Sequence, residues 1–126
     1  VTEALGIILD MKIPEVVFDK IKSKCGRTDK SVVSGGLVTG VRPHKTRKGL
    51  AMGFLNFIGV DGHSWEAVIW PSLWRGEHGV SKIVGIGDLI LVKGRPDEMP
   101  HKVLANVLGV IDKLGNFTAK VKQPAY

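Results

Sequence analysis

Short apolar runs broken by glycine, proline and charged turns dominate residues 31–122, and their period is mostly two. Val32 to Arg42 reads as a first, glycine-spotted strand, with Leu37 and Val41 on one face and Gly36, Val38 and Gly40 on the other. Glycine weakens a flat ladder, so its repetition there predicts sharp coiling or close approach of backbones, as a small barrel needs. Leu50 to Val60 reads as a second strand, Asp61-Gly62 as a hairpin turn, and Ser64 to Trp70 as a third strand ended by Pro71. Phe54 and Phe57, three apart, fall on opposite faces of the second strand unless a bulge intervenes. A short irregular helix is predicted over Ser72 to Ile83, limited by Gly76 and Gly79. A fourth strand follows at Leu89 to Arg95 and a fifth within Met99 to Ile111. Phe117 to Lys122 alternates weakly and reads as an extra strand or a tail.

The first thirty residues have a different texture. Residues 1–12 carry a short apolar run after an acidic start, compatible with a short helix or an edge strand. Pro14 suits the first turn of a helix running to Lys24, with Val17 and Ile21 in its apolar stripe and Gly26 ending it. Gly26 to Ser31 reads as a linker. The expected organisation is thus a lead-in segment with a short helix over 1–30, an all-β domain over 31–116, and a C-terminal extension over 117–126. Five strands with a helical connection between the third and fourth follow the order of a five-stranded OB barrel. Another small barrel or a sandwich shares most of that pattern.

Composition adds a direction. Eighteen basic against twelve acidic residues give a formal charge of +6 and a pI of about 9.6, a balance that favours a polyanionic partner. The densest positive stretch is the loop between the first two strands, where His44, Lys45, Arg47 and Lys48 follow Arg42. Lys93 and Arg95 end the fourth strand and Lys102 lies in the next loop. Flexible cations on loops pair with phosphates without reading bases. Exposed rings add base stacking, and Phe57 and Trp65 are the candidates, with Phe54 read as structural and Trp74 as seating the helix. Catalysis is not expected. The four histidines lie in separate turns without zinc-site spacing, the carboxylates are isolated, and a phosphate-cradling Gly-rich loop is missing from the sequence. No metal or cofactor is therefore predicted. The lone Cys25 fits a reducing compartment, and no apolar stretch is long enough for a membrane span, so a cytoplasmic location is expected.

The wording of four segments is more specific than their periodicity. Val33-Ser34-Gly35-Gly36-Leu37-Val38-Thr39-Gly40-Val41-Arg42, then Lys48-Gly49 with Met52-Gly53-Phe54, then Gly62 with Glu66-Ala67-Val68-Ile69-Trp70-Pro71, and finally Asp88 to Arg95 resemble, in this order, the OB module of the alpha subunit of bacterial replicative DNA polymerase III. Glu3 to Leu9 resembles the segment just upstream of that module. The chain differs in having Gly59 where an Asp commonly closes the second strand, a hairpin one residue longer, and Trp70 where Phe is more usual. A chain that begins with Val fits a portion cut from such a subunit. The resemblance implies a non-catalytic module that guides single-stranded DNA, in a parent chain whose polymerase carboxylates lie elsewhere. Other domains or subunits of a replication complex are the implied further partners. The alternatives are a protein-interaction or structural OB module, or an RNA-binding OB domain, because the fold is shared across these functions.

Overall fold

The computed structural model describes residues 15–112 and 114–122. The expected run over 1–12, the Pro14 helix start and the resemblance over residues 3–9 lie outside the described residues. Among those described, the elements are helix α1 (Glu15–Lys24), β1 (Gly26–Arg27), β2 (Val32–Lys45), β3 (Ala51–Gly59), β4 (Ser64–Ile69), α2 (Pro71–Trp74), α3 (Val80–Ile83), β5 (Leu89–Pro96), β6 (Lys102–Ile111) and β7 (Phe117–Lys122).

Five of the strands close a ring in the order β2-β3-β4-β6-β5, with β5 returning to β2. Antiparallel pairing holds at every seam except β4–β6, which is parallel and three pairs long: Glu66–Lys102, Ala67–Val103 and Val68–Leu104. β2 belongs to both sides of the ring. Its first half, Val32 to Leu37, pairs with β5, and from Gly36 onward it pairs with β3. Gly36 is the point where both neighbours press closest. A methyl group there would stand 1.9 Å from the Ile58 carbonyl oxygen, so only glycine permits that approach.

β2 extends to Lys45, three residues beyond the end read from its sequence. Past Leu37 it no longer pairs with β5, so one edge is free and Pro43 removes no ladder hydrogen bond there. The register shift sits in β2, between Val38 and Gly40. β3 therefore keeps strict alternation, and Leu55 and Phe57 point into the barrel with no exposure while Phe54 and Asn56 stay half-exposed. Phe57 was a predicted stacking ring; it is a core residue instead.

The barrel interior is filled by Val38, Leu55, Phe57, Ala67, Ile69, Ile90, Val92, Val103, Ala105 and Leu108. The connection predicted as one irregular helix is two single turns, α2 and α3, whose Leu73, Trp74 and Val80 are buried against this core. Residues 26–31, read as a linker, include β1, which pairs with the start of β2. α1 packs on the outside: Val17 and Ile21 are buried against Leu37, Leu89 and Ile111. Burying two such aliphatic side chains contributes at most about 3–6 kcal/mol. Lys20 Nζ adds a 2.9 Å hydrogen bond to the Gly115 carbonyl, tying the helix to the β6–β7 turn. β7 pairs with β6 from Val107 to Ile111, so Phe117 to Lys122 is a strand and not a loose tail.

Candidate nucleic-acid interface

Beyond Gly53, the last β3 residue paired with β4, the β2–β3 hairpin continues as a two-stranded arm in which His44 and Lys45 pair with Met52 and Ala51, β5 having left β2 after Leu37. Arg42, His44, Lys45, Arg47 and Lys48 are all exposed on this arm. Its tip is held by a compact turn in which the Thr46 hydroxyl accepts from the Leu50 amide at 3.1 Å and the Gly49 amide donates to the Thr46 carbonyl at 2.9 Å. Rigid backbone thus carries flexible cations, a geometry suited to phosphates.

At the root of the arm begins the outer face of the sheet. One row of cross-strand partners runs Arg42, Phe54, Val68, Leu104, Arg95, and the next runs Gly40, Asn56, Glu66, Lys102. The neighbours alternating with these rows, Leu55, Ala67, Ile69, Val103 and Ala105, belong to the buried core, whereas the rows themselves are half-exposed or exposed at every position but Val68, which is covered, and this sets them outward. Arg42 lies 5.0 Å above the Phe54 ring centre and His44 stands 5.7 Å from the same ring. Cation and ring together form a platform of the kind on which a base stacks. Arg42 Nη2 also bonds Glu66 Oε1 at 3.2 Å, placing one carboxylate in the middle of an otherwise basic face. A shallow groove of about 240 Å³ continues past it, between Asn56 and Glu66 on one side and Pro100, His101 and Lys102 on the other.

The residues singled out in the sequence separate into groups. Arg42, His44, Lys45, Arg47 and Lys48 share the arm; Lys102 and Arg95 share the two rows with Arg42. Lys93 is elsewhere. It pairs with Val33 and Val107, and lines a different groove with Phe117, Lys120 and Lys122. Phe57 is unavailable for stacking. Trp65 is half-buried, parallel to Phe57 at 6.1 Å, with its indole N–H donated to Asp61 at 3.0 Å. That hydrogen bond and the packing hold it in place rather than free on the surface. Phe54 was read as structural and supplies the half-exposed ring instead. Asn56 was the missed signal: a polar residue two positions from Phe54 marks the outward parity of β3, and Leu55 with Phe57 the inward one.

Cys25 is half-buried beside the cavity where Asp61 and Trp65 lie. Burial pushes its thiol pKa up, the hydrogen bond from the Gly35 backbone pulls it down, and the charge of Asp61 adds a smaller upward push. Such a thiol stays protonated and is a poor nucleophile.

A closed five-stranded barrel with a helical connection between its third and fourth strands, two added strands and a basic arm is an OB-like barrel domain. No family model matches the chain. Its sequence is 26% identical over 110 residues to the DNA polymerase III subunit alpha of Halalkalibacterium halodurans, a match covering 86% of this chain and 9% of that protein. The chain thus spans about a tenth of that relative's length. Among solved structures, the barrel is similar to part of the tRNA agmatidine synthetase TiaS in its apo form, with a TM-score of 0.50 and 16% identity over 72% of this chain and 21% of that one. It is also similar to TiaS in complex with tRNA and ATP (TM-score 0.51, 15% identity, 72% of this chain and 21% of that one) and to a tRNA fluorescent labeling enzyme (TM-score 0.50, 15% identity, 72% and 20%). At these identities the structural likeness establishes the barrel fold. No helix among the described residues is long and apolar enough to cross a membrane.

Proposed function

We propose that this chain is a single-stranded DNA-binding module of a replicative polymerase alpha subunit, without a catalytic role of its own. The observation that carries the reading is the continuity of the basic arm with the outer sheet face, where Arg42 covers the half-exposed Phe54. Phosphates would run along Lys45, Arg47 and Lys48, and a base would stack at Phe54. The polymerase likeness of the sequence supports DNA as the partner and the context of a replication complex. The names of the structural neighbours make RNA the natural competitor.

The test compares labelled single-stranded DNA, duplex DNA and single-stranded RNA at two salt concentrations, with a Lys45→Ser, Arg47→Ser, Lys48→Ser variant alongside. The reading requires tighter binding of single-stranded than duplex DNA, little dependence on sequence, and a variant whose log affinity against log salt is shallower by about 2, roughly 0.7 for each phosphate no longer neutralised. Absent binding by both proteins, or an unchanged slope, refutes it. Preferential RNA binding transfers the site to the RNA-directed reading.

A further inference from the structure

The fold brings together three side chains that the sequence holds apart. Asp61 and His63 belong to the β3–β4 hairpin, and His101 to the β5–β6 loop. One donor atom from each, a carboxylate oxygen and two imidazole nitrogens, lies within 4.8 Å of the other two. We propose that Asp61, His63 and His101 form a binding site for a borderline divalent metal ion, with Zn2+ as its type.

Donor chemistry decides the class. Two imidazoles and one carboxylate are ligands for zinc and its neighbours, whereas calcium and magnesium take oxygen donors. Three protein ligands with an open fourth position are the pattern of a zinc site that keeps a water or an exogenous ligand. The geometry needs only side-chain adjustment. Tetrahedral donors about 2.0–2.1 Å from zinc stand roughly 3.4 Å apart, so each donor must close by little more than 1 Å. The imidazoles of His63 and His101 lie nearly parallel, at 4.2 Å and 19°. Rotation about the soft ring torsion turns their nitrogens toward one point.

Two independent features hold the ligands in place. The Asp61 carboxylate is oriented by the Trp65 indole N–H, at 3.2 Å to Oδ1 and 3.0 Å to Oδ2, and by the His63 amide at 3.0 Å to Oδ1. A carboxylate has about four acceptor positions, so capacity remains on Oδ2 for a metal. Such outer hydrogen bonds typically support metal ligands. His101 has φ +58, and it is the one non-glycine residue with positive φ among the described residues. This uncommon backbone turn is pinned by its carbonyl, which accepts from the Glu66 amide at 3.0 Å, and it sets the ring edge-on to Trp65 at 5.2 Å. Asp61 and His101 also line a cavity of about 340 Å³ with Arg27 and Cys25, which leaves room beside them for a water or an exogenous ligand.

Gly59 makes the arrangement possible. A methyl group there would meet Asp61 Oδ1 at 2.6 Å and the Trp65 ring at 2.8 Å. Where the polymerase pattern commonly has an acid at this position, the acid here is two residues on, in the hairpin with His63.

The tag-free chain is titrated with ZnCl2 by calorimetry, with Mg2+ as a control and thermal unfolding as a second readout. One saturable zinc site, a rise in unfolding temperature with zinc, and no comparable response to magnesium are expected. His63→Ala and His101→Asn should each weaken binding at least 100-fold and remove the thermal shift. His78→Ala, in an exposed turn away from the cluster, should match the wild type in both. His63 is exposed in a turn and His101→Asn keeps a residue tolerant of positive φ, and circular dichroism confirms that each variant is folded. If His101→Asn misfolds, the His63→Ala titration decides. Wild-type chain that binds no zinc stoichiometrically, or folded variants that bind it as tightly as wild type, overturns the site.

Discussion

Glu66→Gln separates an electrostatic face from a merely basic one. The Glu66 carboxylate pairs with Arg42 at 3.2 Å, the Arg42 side chain being 58% exposed and the Glu66 side chain 29%. An ion pair this accessible contributes about 0–1 kcal/mol to stability, so the folded barrel should tolerate the change. Its effect on binding should be opposite in sign to that of stripping the arm, and about a third as large in salt slope. With the carboxylate gone, Arg42 keeps its place over Phe54 and is released to a phosphate. One added single-strand phosphate pairing steepens the log affinity–log salt slope by about 0.7, and at 0.1 M salt that corresponds to roughly fivefold tighter binding, fading toward 1 M. Fluorescence anisotropy with a labelled oligothymidylate, at four salt concentrations between about 0.05 and 0.4 M, resolves such a change. Tightening that ignores salt, or no tightening at all, shows that DNA does not cross the Arg42–Glu66 pair. Weaker binding would show that Glu66 acts by orienting Arg42.

Three further substitutions probe what the packing assigns. Phe54→Ala should weaken single-stranded DNA binding by about 1–3 kcal/mol with little loss of stability, whereas Phe57→Ala should cost about 3–5 kcal/mol of stability in denaturant unfolding; the reverse pattern would invert the two faces of β3. Gly36→Ala places a methyl 1.9 Å from the Ile58 carbonyl, where ordinary contact begins near 3.4 Å, so β3 must move by about 1.5 Å; a stability loss of about 3 kcal/mol or more is expected, and less than about 1 kcal/mol would refute the close approach. The raised Cys25 pKa, caused chiefly by burial, means that the folded state holds this proton more tightly than the unfolded one. Its contribution to stability is full below the unfolded thiol pKa and is lost as pH rises through the folded value. Denaturant unfolding across the alkaline range should show that loss in wild type and not in Cys25→Ala, and identical profiles would refute it.

The strands, the Asp61-Gly62 hairpin and the arm were legible because period-two alternation and turn residues are local signals. Phe57 was misread for a physical reason: choosing between two rings three positions apart needs the register of the whole strand, and Asn56 alone carried it. The length of β2 was also hidden. Pro43 ordinarily ends a strand, and its tolerance here depends on where β5 departs, a non-local fact. Packing of α1 on Leu37, Leu89 and Ile111 could not be read from a helix with only two buried positions. His63 and His101 meet because the parallel β4–β6 seam brings the β5–β6 loop beside the hairpin, and no sequence spacing encodes that.

That seam also has a temporal meaning. β2, β3 and β4 form a meander joined by turns, so the basic arm and most of the outer face can assemble from pairings between near neighbours in the chain. Closing the ring requires Val32 to find Gly94 and Glu66 to find Lys102, and such distant pairings are made slowly. The β2–β3–β4 meander with the arm's cations and the β5–β6 hairpin can each pair locally, and only their joining waits on the distant pairings. His101 and Lys102 meet the far wall of the groove only once the two halves join, so any ligand that spans both recognises only a finished barrel.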